Sequence, residues 1–113
     1  MDVVSVTDEE SVEALEGVHL AQLAAGERTS VQHFRIEPGA VVGEHSHEHE
    51  QTGFVTRGEL TFTVDGEEVV TGPGDSYVIP GDAPHAAENR GDEPVEGVEI
   101  FSPPRPNPPW VED

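Results

Sequence analysis

His45-Ser46-His47-Glu48-His49-Glu50-Gln51 is the stretch on which the reading of this chain turns. Successive side chains of an extended strand point to opposite faces. An extended backbone here would set residues 45, 47, 49 and 51 on one face, within about 20 Å at ~3.3 Å per residue. Neutral imidazole is the commonest side-chain ligand for transition metals. The chain has six histidines, and this row uses three of them beside one amide. The pattern reads as half of a metal site on a β scaffold.

The complement lies downstream. Gly72-Pro73-Gly74-Asp75 is a tight-turn signal, and Ser76-Tyr77-Val78-Ile79 is a short strand-like run. Pro80-Gly81-Asp82-Ala83-Pro84-His85 is a second turn ending in a histidine, with Asn89 beyond it. A first-row divalent ion takes three or four protein ligands, often from separate elements. His85, on a turn stiffened by proline and glycine, is the natural closing ligand.

Working outward, Val18–Leu23, Thr29–Ile36, Gly53–Thr56, Leu60–Val64, Glu67–Thr71, Ser76–Ile79, Ala83–Glu88 and Val95–Phe101 read as short strands separated by turn signals. Asp65-Gly66 between two such runs predicts a type I′ hairpin. Asp8–Leu15 reads as a short helix, with Thr7 as its N-cap and Glu10 at the capping-box position; the alternative there is an irregular segment. Many short strands at regular spacing make the chain all-β, a sandwich or jelly-roll barrel. Pro103-Pro104-Arg105-Pro106-Asn107-Pro108-Pro109 cannot join a central strand. It reads as an extended tail laid on the surface or on a neighbouring subunit, with Trp110 as a packing anchor. The organisation is then a polar segment over 1–16, one barrel domain over 17–102 and a Pro-rich tail over 103–113. No internal repeat is visible.

Composition fits one compact domain. The chain has 113 residues. About a quarter of it is Val, Leu, Ile and Phe, above the ~20% below which disorder is expected. There is no cysteine, so neither disulfides nor thiolate ligands are available. No apolar run approaches the ~18 residues of a bilayer span and no signal-peptide pattern opens the chain, so the expected compartment is the cytoplasm. Asp and Glu number 24 against five basic residues, all arginine, for a formal charge of −19. Such a surface repels nucleic acid and anionic membranes, so neither is an expected partner. It resembles the acidic, lysine-poor surfaces of proteins from salt-loving cells. Glu44, Glu48 and Glu50 belong to it. His19 and His33 lack metal-ligand spacing and read as surface or lumen-wall residues. His49 shares the face of the ligand row and reads as a pocket-lining or supporting residue rather than a ligand.

The two segments resemble the paired motifs of the cupin superfamily. The first, G-x5-H-x-H-x3,4-E-x6-G, runs here from Gly39 through His45, His47 and Gln51 to Gly58. The second, G-x5-P-x-G-x2-H-x3-N, runs from Gly74 through Pro80, Asp82 and His85 to Asn89. Gln51 stands where the motif has glutamate, and Asp82 where it has glycine. The resemblance implies a single-domain cupin jelly-roll β-barrel holding one divalent transition ion (Zn, Ni, Fe, Mn or Co). Cupins of this size commonly form homodimers, which is the expectation here.

Within cupins, His45-Ser46-His47-Glu48-His49-Glu50-Gln51 together with Glu99-Ile100-Phe101-Ser102-Pro103-Pro104-Arg105 is similar to the pectin-degradation cupins, which linearise 4,5-unsaturated monouronates. That resemblance implies metal ligation by His45, His47, Gln51 and His85. It also implies an acid/base carboxylate at Glu99, an aromatic wall at Phe101 and a substrate-binding arginine at Arg105. Gln51 has a second reading, as a hydrogen-bonding residue behind the ligands. Glu99 is one methylene longer than the aspartate of that family. The implied activity is non-redox ring opening or tautomerisation of a small anionic sugar, with no organic cofactor. A metal-dependent oxygenase and a non-catalytic sugar- or ligand-binding cupin are the alternatives.

Overall fold

A computed structural model describes residues 1–7 and 11–105 of the chain. Ten strands follow one another: β1 (Val12–Leu15), β2 (Val18–Ala25), β3 (Ser30–Ile36), β4 (Val41–His45), β5 (Glu50–Arg57), β6 (Leu60–Val64), β7 (Glu67–Thr71), β8 (Ser76–Ile79), β9 (His85–Glu88) and β10 (Val95–Ser102). They form a six-stranded sheet, ordered β1-β2-β3-β10-β5-β8, and a four-stranded sheet, ordered β4-β9-β6-β7. All pairings are antiparallel. The two sheets face each other as the walls of a jelly roll.

Alternation of side chains decides what each wall buries. Along β3 every second residue, from Ser30 through Gln32 and Phe34 to Ile36, is buried, and the residues between are half-exposed. The shared core joins Val18, Phe34, Ile36, Val55 and Val95 of the larger sheet to Leu60, Phe62 and Ala87 of the smaller. Buried apolar area of this kind is the main stabilising term in the fold. His19, His33 and Arg35 fall on the opposite, outer face, where Glu37 and Glu96 lie beside them. Asn89, the last residue of the second motif, fastens one end of the barrel. Its side-chain amide donates to the Ile36 and Glu93 carbonyls at 2.9 and 2.8 Å, and its Oδ1 accepts from the Gly91 N–H.

The β6–β7 hairpin turns at Asp65 and Gly66 with φ of 50° and 81°, as a type I′ turn requires. Two expectations are corrected. Residues 12–15 are not the end of a helix: Val12–Leu15 is β1, paired with β2 through Val12↔Leu20 and Glu13↔His19. A helix of so few residues is marginal in water, and an adjacent unpaired strand edge offers a ladder instead. Residues 8–10, the start of that stretch, and 106–113, including Trp110, lie outside the described residues. Nor is the histidine row a single strand. β4 ends at His45 in the four-stranded sheet, Ser46–His49 form a non-strand connection, and β5 resumes at Glu50 in the six-stranded sheet. The chain changes walls inside the motif. No helix among the described residues is long and apolar enough to cross a membrane.

Candidate metal centre

The histidines meet at the end of the barrel where the chain crosses between sheets. His45, the last residue of β4, pairs in register with His85, the first residue of β9. The connection after β4 then folds His47 back over them. Ring centroids are 4.3 Å apart for His45 and His85, 5.0 Å for His47 and His85, and 5.7 Å for His45 and His47. One ring nitrogen from each of the three lies within 4.8 Å of the others. His49 is outside this set. It serves His47 instead, through its backbone carbonyl, and its ring packs edge-on against Phe101.

Hydrogen bonds fix which nitrogen of each ring is free. His45 Nδ1 donates to the Gly43 carbonyl at 2.9 Å, His47 Nδ1 to the His49 carbonyl at 3.1 Å, and His85 Nδ1 to the Ala83 carbonyl at 2.9 Å. A carbonyl only accepts, so the proton is on Nδ1 and the lone pair on Nε2 in all three neutral rings. Orientation by such partners is the usual support of a metal-binding histidine. His85 Nε2 is buried and has no hydrogen-bond partner. His47 Nε2 lies 3.2 Å from Gln51 Oε1. With Nδ1 protonated, these are two acceptors facing each other, an arrangement that a shared cation satisfies. Burial holds the His47 and His85 imidazoles below their ordinary pKa, with Arg105 and His45 adding to the effect on both, so neither ring supplies that cation by protonation. The donor set therefore fits a transition ion.

Gln51 is the hinge between this cluster and the rest of the lumen. Its oxygen faces His47, and its side chain also approaches the Glu99 carboxyl. Glu99 sits in a cross-strand row, opposite Gly53 of β5 on one side and Gln32 of β3 on the other. Gly53 in turn pairs with Tyr77 of β8. The Tyr77 hydroxyl donates to Glu99 Oε1 at 3.0 Å, and Gln32 Nε2 donates to Glu99 Oε2 at 3.3 Å. Burial pushes the Glu99 carboxyl above the usual carboxylate range, while the hydrogen bonds from Tyr77 and Gln51 pull the other way. Burial and the neighbouring carboxyl push the Tyr77 phenol far up, so it is a donor at any working pH.

Phe101 lies one layer above, opposite Gln51, with its ring centroid 5.9 Å from that of His47. The Arg105 guanidinium carbon sits 5.5 Å from the centre of the Phe101 ring. Arg105 is positioned by its backbone: its N–H donates to Ser30 Oγ at 2.7 Å, and its carbonyl accepts from Gln22 Nε2 at 2.8 Å. His45, Gln51, His85, Glu99, Phe101 and Arg105 all line a single cavity of about 570 Å³. The structure thus brings the sequence-derived residues together. It adds Tyr77 and Gln32, which the motifs did not single out. Tyr77 is the chain's one tyrosine and follows a turn signal, but nothing local to it points to Glu99. Gln32 shows only as a polar residue on the apolar phase of β3.

The family model of the cupin domain matches residues 32–101. Over 79 residues the chain is 33% identical to the mannose-1-phosphate guanylyltransferase ManC of Salmonella typhimurium, covering 69% of this chain and 16% of that protein. Over 66 residues it is 35% identical to the H2HPP isomerase of Bacillus subtilis, covering 58% of this chain and 28% of that one. The chain thus spans under a third of the length of these curated relatives. Among solved structures, KdgF from Halomonas sp. superposes with a TM-score of 0.85 at 24% identity, over 93% of this chain and 96% of that one. An RmlC-like cupin from Shewanella frigidimarina superposes with a TM-score of 0.84 at 25% identity, over 93% of each chain. At these identities the structural likeness speaks to the fold.

Proposed function

The chain belongs to the cupin domain family, and from that premise we propose that it is a metal-dependent enzyme that opens or tautomerises an anionic sugar without net redox change, with a 4,5-unsaturated uronate as its substrate. One observation carries the reading. His45, Gln51 and His85 line the same cavity as Glu99, so a group able to move a proton stands beside the candidate metal site in one lumen. The fold likeness to KdgF, and the resemblance of the two sequence segments to the pectin-degradation cupins, support the same reading.

Opening such a sugar needs a proton taken from the anomeric hydroxyl and one delivered to the ring oxygen or the enol carbon. His45, His47, His85 and Gln51 would hold a divalent ion, which supplies Lewis acidity toward those oxygens when bound. All four donors are neutral, so none of them offsets the positive charge that draws in an anion. Arg105 binds the substrate carboxylate as a fork of donors. Phe101 gives the ring a flat wall. Glu99 takes and returns the proton, and its raised pKa makes it a better base near neutral pH than an exposed carboxylate. Tyr77 and Gln32 hold its two oxygens in place.

The test is to load the protein in turn with Mn, Fe, Co, Ni and Zn, add an unsaturated monouronate and follow loss of the conjugated enol-ether absorbance. Turnover that disappears in Glu99→Gln supports the reading. No absorbance change with any of the ions overturns it, and oxygen uptake by the Fe(II) form would assign an oxygenase instead.

A further inference from the structure

The lumen is layered, and the layers differ in chemistry. On the large sheet the uppermost inward residues are Ser30, Phe101 and Gln51, matched in register. The next layer holds Gln22, Gln32, Glu99 and Tyr77. Below these, Leu20 lies opposite Phe34, and Val18 opposite Ile36. The small sheet has the same gradient: His45 faces His85 above, and Val42, Ala87 and Phe62 are matched below. The cavity does not stop at the polar layers. It continues down between Leu20 and Val42 and reaches Phe62 and Leu60. It also touches Leu15 of β1 and Glu44 of β4, the edge strands of the two sheets, so it extends to the seam where the walls are not joined by a ladder.

At about 570 Å³ the cavity falls inside the range of ~300–1,000 Å³ that holds drug-sized ligands. A monosaccharide carries hydroxyls all round. Against Leu20, Val42 and Phe62 those hydroxyls would lose water and find no partner, which disfavours such an occupant of the lower half. Gln32 marks the boundary between the halves. It is 3% exposed, lines the cavity, and its Oε1 has no hydrogen-bond partner. A buried acceptor left open in this way calls for a donor from the ligand.

We propose that this cavity binds a hydroxy-carboxylate bearing an apolar arm the size of a phenyl ring. The carboxylate lies on Arg105, the hydroxyl donates to Gln32 Oε1, and the arm lies in the lower chamber between Leu20 and Val42. The proposal rests on the reading above only in taking Arg105 as the carboxylate-binding group.

The experiment is calorimetric binding of three small acids to the metal-loaded protein, with uronate turnover measured in parallel. 3-Phenyllactate has the carboxylate, the hydroxyl and the arm. Lactate lacks the arm, and 3-phenylpropanoate lacks the hydroxyl. Phenyllactate is expected to bind at least ~10-fold tighter than lactate, from burial of the ring. It is also expected to bind several-fold tighter than phenylpropanoate, and that second difference should vanish in Gln32→Leu. Val42→Thr, nearly isosteric, should weaken phenyllactate and leave lactate unchanged; Leu20→Gln should do the same and serves as the second variant. Equal affinity for lactate and phenyllactate, or an arm preference untouched by both variants, overturns the proposal. Uronate turnover without arm preference would sink this proposal alone. Arm preference without uronate turnover would sink the sugar reading alone.

Discussion

The Tyr77 hydroxyl donates to Glu99 Oε1 at 3.0 Å across a strand to which neither residue belongs. That strand is β5, which lies between β8 and β10, and at the crossing point it carries Gly53. A Cβ built there would overlap the Tyr77 ring. The glycine leaves the space through which the phenol reaches the carboxyl. Gly53→Ala is therefore expected to displace the tyrosine and cost about 1–3 kcal/mol by overpacking, seen as a lower midpoint in urea. Tyr77→Phe removes only the hydroxyl. Turnover should drop ~10–100-fold in kcat with KM little changed, since the carboxyl loses the donor that sets its geometry. A KM effect with kcat intact would place Tyr77 in substrate binding instead.

Gly81 bears on the metal cluster from the other motif. A Cβ at Gly81 would stand 2.5 Å from the Glu48 carbonyl oxygen, and the neighbouring Asp82 N–H donates to the His47 carbonyl at 2.7 Å. The turn before His85 and the connection carrying His47 are thus packed backbone to backbone. Gly81→Ala should push the connection off and weaken divalent-ion binding ~10–100-fold, the usual range for losing a supporting contact. Chelator competition measures it, and an unchanged affinity would mean that the connection is held elsewhere.

Asp82 has a φ of 67°, in the left-handed region where glycine is relaxed. Asp82→Gly restores the motif residue and should raise stability by up to ~1 kcal/mol while leaving ion affinity within twofold. A fall in the melting temperature would show that the Asp82 side chain makes a compensating interaction.

Acidification should protonate His47 and His85 late. The folded-state pKa values of His47 and His85 lie below the ordinary imidazole value of 6.5, so the folded chain binds fewer protons there than the unfolded one. Their neutral, ligating form persists through that pH and is lost only as pH falls further. Ion affinity should fall as the pH drops, and in the ion-free protein the His47 and His85 ring signals should titrate below the ordinary imidazole value. Either ring titrating at or above the ordinary imidazole value would mean that burial does not depress it.

Salt should stabilise the molecule. Its formal charge is −19. Against that, Arg35, Arg57 and Arg90 make surface pairs with Glu37, Glu96, Glu68 and Glu88. Exposed pairs contribute ~0–1 kcal/mol each, so their screening is a small loss. Screening of the net self-repulsion is the larger effect, because the Debye length shrinks from ~10 Å at 0.1 M to ~3 Å at 1 M. The melting temperature should rise between about 0.1 and 2 M KCl; a flat or falling curve would contradict this.

Much of the barrel was legible because its cues are local. The alternation of β3 and the Asp65-Gly66 turn declare themselves within a few residues, and β6, β7 and β8 begin and end where their turn signals place them. The first and fourth strands were not legible in the same way. β1 is formed by pairing with β2, and β4 is exposed along most of its length, with two adjacent valines rather than an alternation, so neither carries an apolar rhythm of its own.

The sequence by itself determined that this is a β chain of the cupin family, with imidazoles from two motifs and without thiolates. Those facts rest on spacing along the backbone, which folding does not alter. Only the tertiary structure decided that His45 and Gln51 stand on different sheets, and that the crossover between them brings His47 against His85. It alone joined Tyr77 and Gln32, 22 and 67 positions from Glu99, to the same carboxyl. The physical reason is that a period of two says which face a side chain takes, whereas its neighbours on that face are set by which strands exchange hydrogen bonds.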